Sequence, residues 1–251
     1  SYADTPLSTS YNQGHLPGAN GRGSNYVATE EAVYVALEDY CEVLDSETGD
    51  TINYIRLPLK NGGAVRPRWG FIGVYKDLLL GGHDFAHFTK KAGREWKKGY
   101  APIEDLSASA GLLAFDRHSG DLRWQASPRH GFIHNGIVAG NGRVYCLDKL
   151  PESAESKLRR RGRSNPSTYR IVAYDYETGE QLWEVTENIF GSWLGYSEEH
   201  DILLQAGADA KDRLSDEIGD GMIAYQGRTG AVLWEDLERQ YNGPCIIHND
   251  L

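Results

Sequence analysis

The chain has 251 residues and a formal net charge of -10, with 40% hydrophobic and 25% charged residues. That length buries a substantial core, and all-β architectures of this size commonly form a single domain. The negative charge argues against wholesale binding to nucleic acid, whose phosphates require a basic face. No apolar run approaches the roughly 18 residues of a membrane span. Twenty-nine glycines and 15 tyrosines against a single methionine favour strands and tight turns over packed helices.

Taken in chain order, the sequence repeats itself. Val43-Leu44-Asp45-Ser46-Glu47-Thr48-Gly49 is followed by Ala114-Phe115-Asp116-Arg117-His118-Ser119-Gly120. Then come Ala173-Tyr174-Asp175-Tyr176-Glu177-Thr178-Gly179 and Ala224-Tyr225-Gln226-Gly227-Arg228-Thr229-Gly230. A tryptophan stands four residues beyond each of the last three glycines, at Trp124, Trp183 and Trp234; Asn53 holds that place in the first unit. Each unit predicts a hairpin. The glycine supplies the positive φ of a short turn, and the aspartate accepts backbone N–H groups within it.

A looser hairpin precedes each of these. Tyr26-Val27-Ala28 pairs with Val33-Tyr34-Val35, and Phe71 to Tyr75 with Leu78-Leu79-Leu80. Gly136 to Gly140 turns at Asn141-Gly142 into Val144 to Leu147, and Leu194-Gly195-Tyr196 pairs with Ile202-Leu203-Leu204. Four antiparallel strands per repeat, A to D, make a propeller blade. The intervals between the four glycines shrink along the chain because segments of unequal length separate strands B and C, at His83 to Ser107, Pro151 to Thr168 and Gly207 to Gly219. Without them the blades approach the roughly 40–50 residues of propeller repeats.

Ala-x-Asp-x-x-Thr-Gly-x-x-x-Trp resembles the tryptophan-docking motif of the PQQ-type (quinoprotein-like) propellers, which include PQQ-dependent dehydrogenases and BamB-like scaffolds. The resemblance covers Tyr26 to Asp236 and is strongest from Ala114 to Trp124 and from Ala173 to Trp183. It implies an all-β fold of about four complete blades, with Trp124, Trp183 and Trp234 buried between blades. It also implies a parent propeller of seven or eight blades. Residues 1–24 are then the remnant of a preceding blade, 25–239 the four blades, and 240–251 the first strand of another. A five-bladed ring closed by both chain ends is the alternative.

By strand direction, the D–A and B–C connections share one face of the arc, and the hairpin turns occupy the other. The D–A connections carry Arg66, Arg68, Trp69, Arg129, His130, Trp193 and Tyr241, with His134 and Asn135 nearby. Arginine forks and aromatic faces suit a small anionic ligand, a peptide or a protein surface. The plainer reading is that the tryptophans fill the core and the arginines pair with surface acids.

His83-Asp84-Phe85-Ala86-His87 lacks a third metal ligand at a recognisable spacing. The basic run Lys157 to Arg163 reads as a solvated loop, with an acidic partner or phosphate as the alternative. Cys41, Cys146 and Cys245 stand apart, without zinc spacing, and read as small buried strand residues.

The dehydrogenases of the family carry an adjacent cysteine pair beside the quinone, acidic calcium ligands near the axis and eight blades; no two cysteines are adjacent here. The expectation is a non-catalytic propeller module for ligand or protein binding, requiring no cofactor, periplasmic or extracellular as part of a larger bacterial-type protein. A fragment of a PQQ- and calcium-dependent dehydrogenase and a carbohydrate- or peptide-binding propeller are the alternatives.

Overall fold

The computed structural model describes residues 25–59, 66–86, 106–163, 166–207 and 220–240. They form four antiparallel sheets, three of four strands and one of five. Blade 1 is β1 (Tyr26–Ala28), β2 (Ala32–Leu37), β3 (Tyr40–Asp45) and β4 (Thr51–Arg56). Blade 2 is β5 (Trp69–Tyr75), β6 (Leu78–His83), β8 (Leu112–Asp116) and β9 (Leu122–Ala126). Blade 3 is β10 (Phe132–Gly140), β11 (Arg143–Asp148), β12 (Arg170–Asp175) and β13 (Gln181–Val185). Blade 4 is β14 (Trp193–Ser197), β15 (Ile202–Ala206), β16 (Asp220–Gln226) and β17 (Val232–Gln240).

One element was not foreseen. β7 (Ala108–Ser109), from the B–C segment of blade 2, pairs with β10 and adds a fifth strand to blade 3. Regular helix among the described residues is short: α1 (Glu152–Arg159) and a 3-10 turn at Pro166–Thr168, both in the B–C segment of blade 3. Ala154 and Leu158, one helical turn apart, rest α1 on the core between blades 3 and 4.

The C–D turns are built as their composition demands. Asp45 Oδ1 accepts the amides of Glu47 at 3.0 Å and Thr48 at 2.8 Å, and Asp175 Oδ1 those of Glu177 and Thr178 at 3.0 and 2.9 Å. Asp116 does the same for His118 and Ser119. Gly49, Gly120, Gly179 and Gly230 sit at φ of 72 to 79°, where a Cβ is strained. In the fourth turn Gln226 replaces the aspartate, and Asp201, from the A–B turn, reaches across instead. It accepts Gln226 Nε2 at 2.7 Å and the amide of Arg228 at 3.2 Å.

Just before each of these turns the C–D pairing shifts register at the same place: Val43/Leu44, Ala114/Phe115, Ala173/Tyr174 and Ala224/Tyr225. The residue opposite the docking position is small or β-branched: Val43 faces Asn53, and Ala114, Ala173 and Ala224 face the three tryptophans.

The core is three inter-blade layers and a smaller buried cluster on blade 4, of Leu204, Ala206, Met222 and Ala224. Tyr34, Cys41, Val43 and Ile55 of blade 1 meet Trp69, Leu79, Leu113 and Phe115 of blade 2. Leu80, Ala114 and Trp124 meet Phe132, Val144, Cys146 and Val172. Tyr145, Ile171 and Ala173 meet Leu194, Leu203, Ile223 and Tyr225. Cys41 and Cys146 are buried free thiols, and burial pushes Cys41 up to about 12.

The tryptophans lock these layers. Trp124 lies over Gly179, where a Cβ would come within 2.6 Å of the ring, and its Nε1 donates to the Tyr176 carbonyl at 2.8 Å. Trp183, only half-buried where full burial was expected, lies over Gly230 and donates to the Gly227 carbonyl at 3.0 Å. In both cases the acceptor carbonyl belongs to the residue three before the glycine. Trp234 departs from the expectation: it is 47% exposed, because no following blade among the described residues covers it. Residues 1–24 and 241–251, on which the expectations about further blades fall, lie outside the described residues, as does Cys245.

Trp124→Ala should therefore cost about 3–5 kcal/mol of stability, the usual effect of emptying a buried aromatic site. Trp234→Ala should cost no more than about 0.5 kcal/mol in the isolated chain. Urea unfolding of the two variants checks the contrast. Equal losses would show that exposure is a poor guide to the role of Trp234.

The turns also set an acid limit. Amide hydrogen bonds hold the carboxyls of Asp45, Asp116 and Asp175 below their ordinary value of 3.8. A depressed folded-state pKa contributes stability that is fully present above the unfolded value and is lost as pH falls through the folded one. Melting temperature should hold its turn contribution down to about pH 4 and decline below it. Asp175→Asn should make that decline shallower.

Candidate functional site

Strand B of blades 2 and 3 leads into an aspartate that reaches across to the incoming D–A connection. Asp84, just past β6, accepts the Arg68 amide at 2.9 Å. Asp148, the last residue of β11, accepts the amides of Arg129 at 2.7 Å, His130 at 2.9 Å and Gly131 at 3.3 Å. Asp148 has no exposed side-chain surface, so its charge requires a partner. Arg170 Nε supplies it at 2.9 Å.

A chain of charges runs outward from there. Arg170 Nη1 also donates to Glu184 Oε2 at 2.8 Å, and Arg129 Nη2 grips both Glu184 oxygens at 2.8 and 3.0 Å. Burial opposes the charge on Arg170, but the bonds to Glu184 and Asp148 outweigh it and raise its pKa. The same contacts, from Arg170 and then Arg129, lower that of Glu184. The D–A connection of blade 3 is thus held by buried ionic bonding while the Arg129 side chain stays 43% exposed.

The residues expected to converge on the axis divide into three groups. Arg66 turns towards blade 1, donating to the Leu57 carbonyl, with its Nε 3.7 Å from Asp39. Arg68 stacks over Phe85 at 5.5 Å, and the Phe85 ring lies 6.1 Å from that of His134. Arg129 and His130 form a separate group on blade 3, where His130 Nε2 meets Thr168 Oγ1 at 2.8 Å and the ring stands edge-on to Tyr169. Asn135 in β10 and Trp193 at the start of β14 are half-buried. Tyr241 lies outside the described residues, as does His87 of the His-Asp-Phe-Ala-His segment.

Two expectations need correction. Trp69 does not line a mouth; it is fully buried between blades 1 and 2, 5.8 Å from Phe115, because Gly81 opens a seat for its ring. His134 is buried as well, with Nε2 2.8 Å from Ser109 Oγ. That pair was missed. β7 brings Ser109 to it, and Gly70 and Gly82 leave room for the hydroxyl: a Cβ on either would approach it within 2.7 and 2.1 Å. Glycines in an otherwise apolar strand pair were the available signal. The basic residues from Arg159 to Arg163 are exposed, as a solvated segment should be.

A family model described as outer membrane protein assembly factor BamB matches residues 103–244. The chain belongs to this PQQ-type propeller family. No protein with a curated description matches it. Among solved structures, a europium-containing methanol dehydrogenase is similar at a TM-score of 0.53 and 12% identity, over 87% of this chain and 42% of that one. The computationally designed Ika8 protein is similar at 0.52 and 11%, over 86% and 49%. BamB from Moraxella catarrhalis is similar at 0.45 and 13%, over 86% and 52%. The chain therefore spans about half the length of the structures it resembles.

Membership raises the question of a quinone and its calcium, and the described residues do not fit them. Cys41 and Cys146 are buried in different blades. Trp69 is closed inside a blade interface. Among the described residues no three of His, Cys, Asp and Glu gather as a metal site. No chemical step is derived through either group. No helix among the described residues is long and apolar enough to cross a membrane.

Asp148→Ala should destabilise the chain by about 3–5 kcal/mol, since it leaves Arg170 buried without its deepest partner. Asp148→Ala combined with Arg170→Met should recover only the part due to the unpaired guanidinium, because the amides of Arg129, His130 and Gly131 still lack their acceptor. Chemical denaturation of the single and double variants measures both.

Proposed function

We propose that the chain is a non-catalytic binding and scaffolding module of a larger protein, working outside the cytoplasm, and that it engages a protein, a peptide or a small anionic ligand on its B–C/D–A face. The observation that carries this is the clamping of the D–A backbone by Asp84 and Asp148, while the side chains of Arg68, Arg129 and His130 remain at least partly exposed. A backbone fixed from behind presents its cations without losing conformational freedom on binding, which is what makes a surface site effective.

The B–C segments of blades 2 and 3 leave from the ends of β6 and β11, where Asp84 and Asp148 meet the D–A connections, and loops at such positions can vary in length. Arg66, Arg68 and Arg129 would meet carboxylates, and His130 would donate or accept at the edge of the patch. Asn135 and Trp193 are secondary contacts in this reading. The family description, which concerns assembly at an outer membrane, agrees with a protein partner. The net charge of -10 works against nucleic acid.

An immobilised acidic-peptide array tests the face. Arg68→Glu should reduce binding about tenfold or more, as charge reversal at a contact does, and shift the melting temperature little. Unchanged binding would move the site elsewhere. In a dye-reduction assay with PQQ, calcium and alcohols or sugars, the chain should show no turnover; sustained turnover would overturn the non-catalytic reading.

A further inference from the structure

A cleft of about 570 Å³ opens between blades 3 and 4. One wall is the end of β13 with the connection after it, and the rest comes from β16 and β17. Every residue lining it belongs to two consecutive blades or to the connection between them, so the cleft lies inside the arc and not at either end. Its volume falls in the range of about 300–1,000 Å³ usual for ligand pockets.

Strand register sets its character. Val232 stands opposite Tyr225 and Glu235 opposite Ile223, and cross-strand partners share a face of the sheet. Ile223 and Tyr225 are buried against blade 3, so Val232 and Glu235 are held on the side of blade 4 that faces it. Val232 is nonetheless 54% exposed, because the packing between the blades stops short of the outer strand. Charge in the cleft is of one sign. Glu187 and Glu235 line it, no lysine or arginine does, and among the described residues neither carboxylate is ion-paired. A third carboxylate, Glu184, is already neutralised by Arg129 and Arg170. Burial raises the pKa of the Tyr225 phenol, and the charge of Glu235 beside it adds to the rise. The sheet of blade 3 ends at β13, whose outer edge pairs with no strand among the described residues. An open edge offers backbone N–H and C=O groups to an extended chain.

We propose that this cleft takes an extended basic peptide segment of a partner, with lysine or arginine side chains meeting Glu187 and Glu235 and an apolar side chain between them resting on Val232 and Tyr225. Such a segment sends alternate side chains to one side, so Lys-x-Val-x-Lys presents both chemistries to the cleft at once. A small free cation would use the two carboxylates alone, leaving the apolar floor and the edge of β13 in water. The ligand is opposite in charge to the one that the D–A arginines suit, and the site does not depend on that reading.

Fluorescence anisotropy of the labelled peptide Ser-Lys-Thr-Val-Thr-Lys-Ser, titrated with the 251-residue chain, tests this. Saturable binding is expected, and its loss when both lysines are replaced by glutamine. The pair Glu187→Lys and Glu235→Lys should weaken binding about tenfold or more, as charge reversal at a contact does. Glu30→Lys with Glu47→Lys makes the same change in net charge on exposed positions of blade 1 and should cost no more than about twofold, since screening confines surface charge to its neighbourhood. Val232→Asn leaves the charge untouched but removes apolar surface, and should weaken binding at least about threefold. These are exposed positions, so melting temperatures should barely move. Absence of saturable binding would overturn the proposal, as would equal binding of the glutamine peptide. So would equal losses from the two lysine pairs, which would reduce the effect to net charge, or indifference to Val232→Asn, which would reduce it to two surface acids.

Discussion

The fold depends on a flat ring lying on a residue that has no side chain. A propeller blade buries both of its faces only against neighbours, so the structure is as strong as the contact between successive sheets. Trp124 and Trp183 make that contact with a large apolar area and one directed hydrogen bond each, to Tyr176 and Gly227. The bond fixes where the next blade sits; dispersion and burial alone would let it slide. Gly179 and Gly230 serve twice, since the positive φ that turns the hairpin also removes the Cβ that would lift the indole away.

The same geometry explains where the repeat tolerates change. The turn carboxylate is a local device, so it can come from elsewhere: Asp201 takes over in blade 4 when Gln226 replaces the aspartate. The docking position is less forgiving. With Asn53 in place of tryptophan, the blade 1–blade 2 contact relies on Ile55 over Gly120 and on the bulk of Trp69 and Phe115 farther in. Trp69 thus fills inside the layer a role that tryptophan plays at the rim in the other blades, which is why it is unavailable to a ligand.

What the sequence made legible was whatever is local. The four hairpins, their turn chemistry and the strand order all follow from residues within one short window. The candidate site was legible only as a face. Which way Arg66 and Arg129 turn depends on Asp39 and Glu184, carboxylates distant in sequence from the arginines they receive. β7 is two residues long, below any periodicity, and exists because an edge of blade 3 was open to it. The burial of His134 follows from β7 and not from its own neighbours. Trp234 was misjudged for a related reason: its motif matches those of Trp124 and Trp183, but burial belongs to the blade that follows.

The ionic chain from Asp148 to Arg129 shows how the two faces of the molecule came to differ. On the hairpin face, exposed aspartates cap short turns, and each cap is satisfied within its own hairpin or the adjoining one. On the opposite face, the connections pass between blades and cannot close on themselves. A carboxylate at the end of strand B is well placed to bind them, because strand B lies beside the incoming strand A. Once Asp148 is buried there, Arg170 must follow to neutralise it, and Glu184 and Arg129 then extend the pairing to the surface. Charge at this face is therefore set by what the backbone needs underneath.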